Sequence, residues 1–177
     1  MMEELLDTAR LTTGLPLALN RTPIDLVALA RRVLDAHQRL ASGHQLRLDA
    51  DPPGARATGT RCGWNGDRQL RAARRRHSPD GGVVTVQVAC APAPTAPDGD
   101  ATAWAMLTVT DEGVGIPAAD LPYVFEPFRR GGNVAGIHGS GIGLAGARRV
   151  VEQHGGALTV ASAAGRGSVF TMRLPLA

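Results

Sequence analysis

Two short runs in the second half of this 177-residue chain pair closely spaced glycines with a carboxylate or a helix start. The first is Asp111-Glu112-Gly113-Val114-Gly115-Ile116, directly after an alternating strand pattern over 103–110. A carboxylate at a strand end can accept a hydrogen bond from an exocyclic amine. Glycines two and four residues later let the backbone approach a flat ring or a phosphate. The second run, Gly139-Ser140-Gly141-Ile142-Gly143-Leu144, opens a helical pattern that continues to His154. Backbone N–H groups at a helix start, backed by the helix dipole, favour an anion. No Lys-Ser/Thr follows, so this is not a Walker A loop, and no strand leads directly into it as a dinucleotide fingerprint requires. Taken singly, the first run also reads as a surface turn with an acidic cap, and the second as a flexible glycine linker.

Between them lies Tyr123-Val124-Phe125-Glu126-Pro127-Phe128-Arg129-Arg130, followed by a glycine-rich stretch. Phe125 and Phe128 can anchor a mobile loop, and Arg129 and Arg130 can meet phosphate charge when that loop closes. The bland reading of such a cluster is plain surface.

These residues need a scaffold. Residues 1–13 read as a helix with Leu5, Leu6, Ala9 and Leu11 on one stripe, stopped by Gly14. A short strand fits 16–21. Thr22 as cap, Pro23 at the first helical position and Asp25 predict a second helix, ending near Ser42-Gly43. Strands are expected at 44–50, 83–90, 103–110, 157–163 and 168–174, a short helix at 117–124 and a longer one at 141–154. Residues 91–100 are a Pro/Gly/Asp loop. Consecutive strands joined by short turns imply antiparallel pairs. The expected fold is an α/β (α+β) two-layer sandwich, a mixed, mostly antiparallel sheet with helices on one face.

Composition narrows the class. The 19 basic residues are all Arg, and the formal charge of +3 is too mild to imply a nucleic-acid partner. Five Arg within 68–76 lack the interleaved aromatics of a nucleic-acid surface and read as a solvated charge run. Cys62 and Cys90 form no CxxC pair, so no zinc or redox motif is signalled. No apolar run reaches the roughly 18–20 residues that span a bilayer. The acidic Met1-Met2-Glu3-Glu4 start is unlike a signal peptide. These readings predict a cytoplasmic chain with no membrane contact of its own.

Together, DEGVGI, VFEPFRR and GSGIGLAGARRVVEQHGGALTVASAAGRGSVFTMRLP resemble the ATP-binding catalytic domain of sensor histidine kinases, a branch of the GHKL ATPases, in order, spacing and flanking strands. The resemblance implies a Bergerat-type ATPase fold over 15–177, with residues 1–14 as the end of a dimerisation helix. It implies ATP as cofactor. Asp111 would bind the adenine amino group, Gly113, Gly115 and Ile116 would border the base, and Phe125 and Phe128 would belong to a lid carrying Arg129 and Arg130. Gly139, Ser140, Gly141, Gly143 and Leu144 would line the triphosphate, and Thr171 would help hold Asp111. It implies transfer of the γ-phosphoryl group to a histidine, on a dimerisation and phosphoacceptor domain supplied in trans or by a preceding part of a longer, membrane-anchored protein. A response regulator would act downstream.

Two family parts are not recognisable. None of His37, His44, His77, His138 and His154 sits in a phosphoacceptor setting. The family also carries Asn on a helix before Ser78-Pro79-Asp80-Gly81-Gly82, where one carboxamide ligates Mg²⁺. Here residues 61–76 have the right length but an Arg-rich pattern, and the metal role does not transfer to Asn65. Burying several unpaired guanidinium groups is prohibitive, so this segment is expected to sit in solvent and leave part of the sheet uncovered. The alternative function is a catalytically degenerate nucleotide-binding module that modulates a kinase dimer.

A shifted reading frame through this stretch can encode Val-Ile-Gly-Asn-Phe-Val-Arg-His-Ala-Ala, which resembles the missing asparagine helix. We hypothesise that the frame is shifted here between two matching flanks. Sequencing the coding DNA tests this, and a shifted frame without an Asn-containing apolar helix would rule it out.

Overall fold

The computed structural model describes residues 21–38, 44–51, 56–60, 82–91, 103–129, 131–132 and 141–176. The expected helix over 1–13, residues 16–20 of the expected strand over 16–21, and the Arg-rich 61–76 segment lie outside these residues. So do Arg130, Gly139 and Ser140.

The order is β1 (Arg21–Asp25), α1 (Leu26–Gln38), β2 (His44–Asp51), β3 (Arg56–Thr60), β4 (Gly82–Ala91), β5 (Trp104–Asp111), a 3-10 turn (Leu121–Tyr123), α2 (Gly143–Gln153), β6 (Ala157–Ser162) and β7 (Ser168–Pro175). Five strands form the main sheet in the order β2-β4-β5-β7-β6, and β1 pairs with β3 apart from it. In the main sheet β2/β4 is parallel, and the other three pairs are antiparallel. This is the expected mixed, mostly antiparallel sheet.

One face of the sheet carries the core. Val84, Val86 and Val88 of β4, Ala105 and Leu107 of β5, and Met172 and Leu174 of β7 alternate inward and are buried. Leu26, Ala30 and Leu34 of α1 recur every four residues and bury one stripe of that helix against them. Val151 of α2 joins the same cluster. The middle of the opposite sheet face is polar: Gln87, Thr108 and Thr171 stand in register across β4, β5 and β7.

Three local expectations change. Thr22 and Pro23 do not open a helix, because they lie in β1 opposite Gly59 and Thr58 of β3. The helix begins at Leu26, and Asp25 is its cap: the Ala28 amide donates to Asp25 Oδ1 at 2.9 Å. β3 falls inside a stretch with no readable strand pattern, since its RATGT run has little apolar alternation. The expected helix over 117–124 shrinks to one 3-10 turn. Pro117 O accepts from Asp120 N at 2.9 Å and from Leu121 N at 3.3 Å, and Pro122 then limits its length.

The cap assignment is testable by urea melts. Asp25→Ala should cost about 1 kcal/mol, and Leu26→Ala roughly 2–5 kcal/mol from the cavity it leaves. Thr22→Ala should stay within about 0.5 kcal/mol of wild type. A loss at Thr22 matching that at Asp25 would restore Thr22 as the helix cap.

Candidate functional site

Asp111 is the last residue of β5 and is 4% exposed. Its Oδ1 accepts a hydrogen bond from the Gly113 amide at 2.9 Å, closing a tight turn and fixing the carboxylate orientation. Glu112 points the other way, and its Oε2 accepts from the Val83 amide at 3.2 Å at the start of β4.

The loop after Asp111 is locked to the β6–β7 turn. Gly115 has φ +65, and a Cβ there would sit 1.9 Å from Ala163 O. Gly167 has φ +73, and its Cβ would sit 1.9 Å from Asp111 O. Only glycine fits either position. Two hydrogen bonds join the same segments, Gly165 N to Val114 O at 2.7 Å and Ile116 N to Ser162 Oγ at 2.8 Å.

The register across this end of the sheet sets Ser168 of β7 opposite Asp111 and Ser162 of β6 opposite Ser168. Ser168 is 4% exposed. Thr171 is a correction to the sequence reading. It pairs with Thr108 and Thr159 three residues further along β7, on the opposite face of the sheet from Asp111, so it cannot help to hold that carboxylate. Ser168 and Ser162 were missed. The signal that could have found them is strand parity: an odd offset from Ser168 puts Thr171 on the wrong face.

The second glycine run ends in α2. Gly143 is its first residue and Leu144 its second; the cap, Ile142, makes no side-chain hydrogen bond, and no acidic residue occupies the first turn. A Cβ on Gly143 would meet nothing within 4 Å, so no contact of the described chain requires glycine there. Ala147, one turn into α2, and Val151 share an apolar cavity with Leu107, Val109, Phe170 and Met172. Helix and Asp111 strand are thus packed through one layer of side chains. Gly141 has a different role. With φ +69, its Cβ would lie 2.9 Å from the backbone of Phe128 and of Arg129, and Gly141 O accepts from Phe128 N at 3.1 Å.

That contact seats the segment expected to form a lid. Phe128 is 65% exposed and has φ +63, a conformation that costs a non-glycine residue of order 1–3 kcal/mol. The Arg129 guanidinium lies 4.7 Å from the Tyr123 ring centroid and pairs with Glu126 at 3.1 Å. Arg148 of α2 lies 5.3 Å from the Phe125 ring centroid and pairs with Glu152 at 2.8 Å. Phe125 is therefore tied to the helix, whereas Phe128 projects from it.

No group of three metal-ligating side chains exists among the described residues. His37 and His154 are buried and hydrogen-bonded through Nδ1 to Val33 O and Val150 O, one helical turn back.

Residues 70–177 match the family model described as histidine kinase-, DNA gyrase B- and HSP90-like ATPase. The probable sensor histidine kinase TcrY of Mycobacterium tuberculosis is 36% identical over 184 residues, covering 99% of this chain and 35% of that protein. The sensor histidine kinase ZraS of Escherichia coli is 44% identical over 70 residues, covering 40% of this chain and 14% of that protein. The chain thus spans about a third or less of these relatives. A solved structure of the mycobacterial sensor histidine kinase MprB aligns with a TM-score of 0.70 at 30% identity, covering 88% of this chain and 97% of that one. Full-length ShkA in complex with AMPPNP aligns with a TM-score of 0.70 at 24% identity, over 99% of this chain and 35% of that one, which bears on fold alone.

The glycines should separate by substitution. Gly115→Ala and Gly167→Ala should each cost more than about 3 kcal/mol, since backbone must move. Gly143→Ala should leave the chain as stable or up to about 1 kcal/mol more so. Thermal melts of the three variants decide, and equal losses at all three would contradict the interlock.

Proposed function

Because the chain belongs to the histidine kinase-, DNA gyrase B- and HSP90-like ATPase family, and within it is a histidine-kinase-type ATP-binding domain, we propose that it holds ATP between the Asp111 end of β5 and the start of α2. The observation that carries the reading is the buried Asp111 carboxylate with one oxygen fixed by Gly113 N. The fixed orientation leaves the carboxylate an acceptor for the adenine amino group. Gly113, Gly115 and Ile116 border the base. The start of α2, with no side-chain cap and open space at Gly143, suits the phosphates, joined by Gly139, Ser140, Gly141 and Leu144. Phe125 and Phe128 hold the lid that brings Arg129 and Arg130 toward phosphate charge.

Bound ATP supplies a γ-phosphoryl group for transfer to a histidine. That histidine comes from a dimerisation and phosphoacceptor domain, to which residues 1–14 contribute the end of a helix. A response regulator receives the group afterwards. The parent protein is anchored in a membrane and this domain faces the cytoplasm. Among the described residues no helix is long and apolar enough to cross a membrane. Mg²⁺ is expected from the family.

A second reading is favoured by one feature, the Arg-rich pattern of 61–76 where the family carries its metal-binding asparagine. In that reading the chain binds nucleotide without transferring phosphate and modulates a kinase dimer.

Calorimetric titration of the full chain with ATP tests both. Loss of a hydrogen bond to a charged group costs about 1.5–3 kcal/mol, so Asp111→Ala should weaken ATP by roughly 10- to 150-fold. Thr171→Ala should leave affinity unchanged. Unaltered affinity in Asp111→Ala would overturn the site. Affinity that rises strongly with Mg²⁺ supports the kinase reading, and affinity indifferent to Mg²⁺ supports the non-catalytic one.

A further inference from the structure

Ser162 ends β6, an edge strand of the main sheet. Its side chain nonetheless meets three groups. Oγ accepts from the Ile116 amide at 2.8 Å, donates to Gly167 O at 2.7 Å and lies 3.1 Å from Ser168 Oγ. Ile116 closes the loop that begins at Asp111. Gly167 lies in the turn before β7 and Ser168 opens it; both flank Asp111, through a backbone approach and through the strand register respectively. One half-buried hydroxyl therefore joins both segments that define the Asp111 end of the sheet.

The other bond between those segments, Gly165 N to Val114 O, is made by backbone alone and survives any substitution that keeps the turn. The Ser162 bond is the one that a side chain controls. A hydroxyl can accept from an amide and donate to a carbonyl at once, which is what an alanine, or any acceptor-free side chain, cannot reproduce. Without it the Ile116 amide loses the Ser162 acceptor, the loop's last hydrogen bond to β6 before Pro117.

We infer that Ser162 is a positioning residue for nucleotide binding, acting through Ile116 to hold the Gly113–Ile116 loop at the height where it borders the base. This deepens the ATP-binding reading and rests on it. Ser162 itself touches no ligand. Its contribution is to the base half of the nucleotide, because its hydrogen bonds run to Ile116, Gly167 and Ser168.

The test uses the full chain, with ADP titrated by calorimetry well below the melting temperature of every variant, and amide hydrogen exchange at Ile116 followed by NMR. Ser162→Ala should weaken ADP about tenfold and speed Ile116 exchange by a similar factor or more. Ser162→Thr keeps the hydroxyl and suits a strand, so it should bind ADP within about twofold of wild type. Thr restoring both readouts supports the positioning role. A Ser162→Ala variant that melts lower yet binds ADP like wild type would overturn it, leaving a role in stability only. A Thr variant as weak as the Ala variant would overturn it too, since the hydroxyl would then be irrelevant. Wild type that binds no ADP would instead sink the ATP-binding reading itself, and this inference with it.

Discussion

The whole candidate site depends on how closely two pieces of backbone approach each other. Gly115 lies against Ala163 O and Gly167 against Asp111 O, each in a left-handed conformation and each with no room for a Cβ. This double contact fastens the loop after β5 to the turn between β6 and β7. It makes the Asp111 end of the sheet a rigid corner and not two loose loop tips. Asp111 can stay buried there because its carboxylate is paired with the Gly113 amide, and a buried charge without such partners is costly.

From this corner the rest of the architecture reads outward. β5 and β7 carry the core residues Ala105, Leu107, Met172 and Leu174 on the same face as Asp111. α2 packs over that face through Ala147 and Val151. Its start is thereby held in a fixed relation to the strand that ends in Asp111. The segment carrying Phe125 and Phe128 is attached to the helix by Arg148 over the Phe125 ring, and to the residues just before it by Gly141 O, which accepts from Phe128 N. The ion pairs and ring contacts along this segment are exposed, each worth a fraction of a kcal/mol to about 1 kcal/mol. A ligand of ordinary affinity can exchange them for others, which is the energetic condition for a lid.

Much of this was legible in the residues. The alternation in 103–110 and 168–174 marked two central strands, because one face is buried and the other is more exposed. The glycine runs marked the loop and the helix start, because backbone approach leaves no other residue type at Gly115 and Gly141. What was not legible has physical causes. β3 has hardly any alternation, since it pairs only with β1 in a small separate sheet. Thr22-Pro23 carries a helix-start signature that strand pairing overrides, moving the cap to Asp25. Thr171 was assigned by its place in a motif, whereas strand parity governs which face it takes. For Ser162 and Ser168 strand parity gives only the face; their place beside Asp111 comes from cross-strand register, which the folded sheet sets.

We propose that an adenine nucleotide occupies the face bounded by Asp111, the Gly113–Ile116 loop and the start of α2. Amide chemical-shift mapping of the full chain during titration with ADP tests it most directly. The largest changes are predicted at Gly113, Gly115, Ile116, Gly143 and Leu144, with Thr108, Thr171 and Arg173 on the polar sheet face unmoved. Changes concentrated on that polar face would contradict the claim.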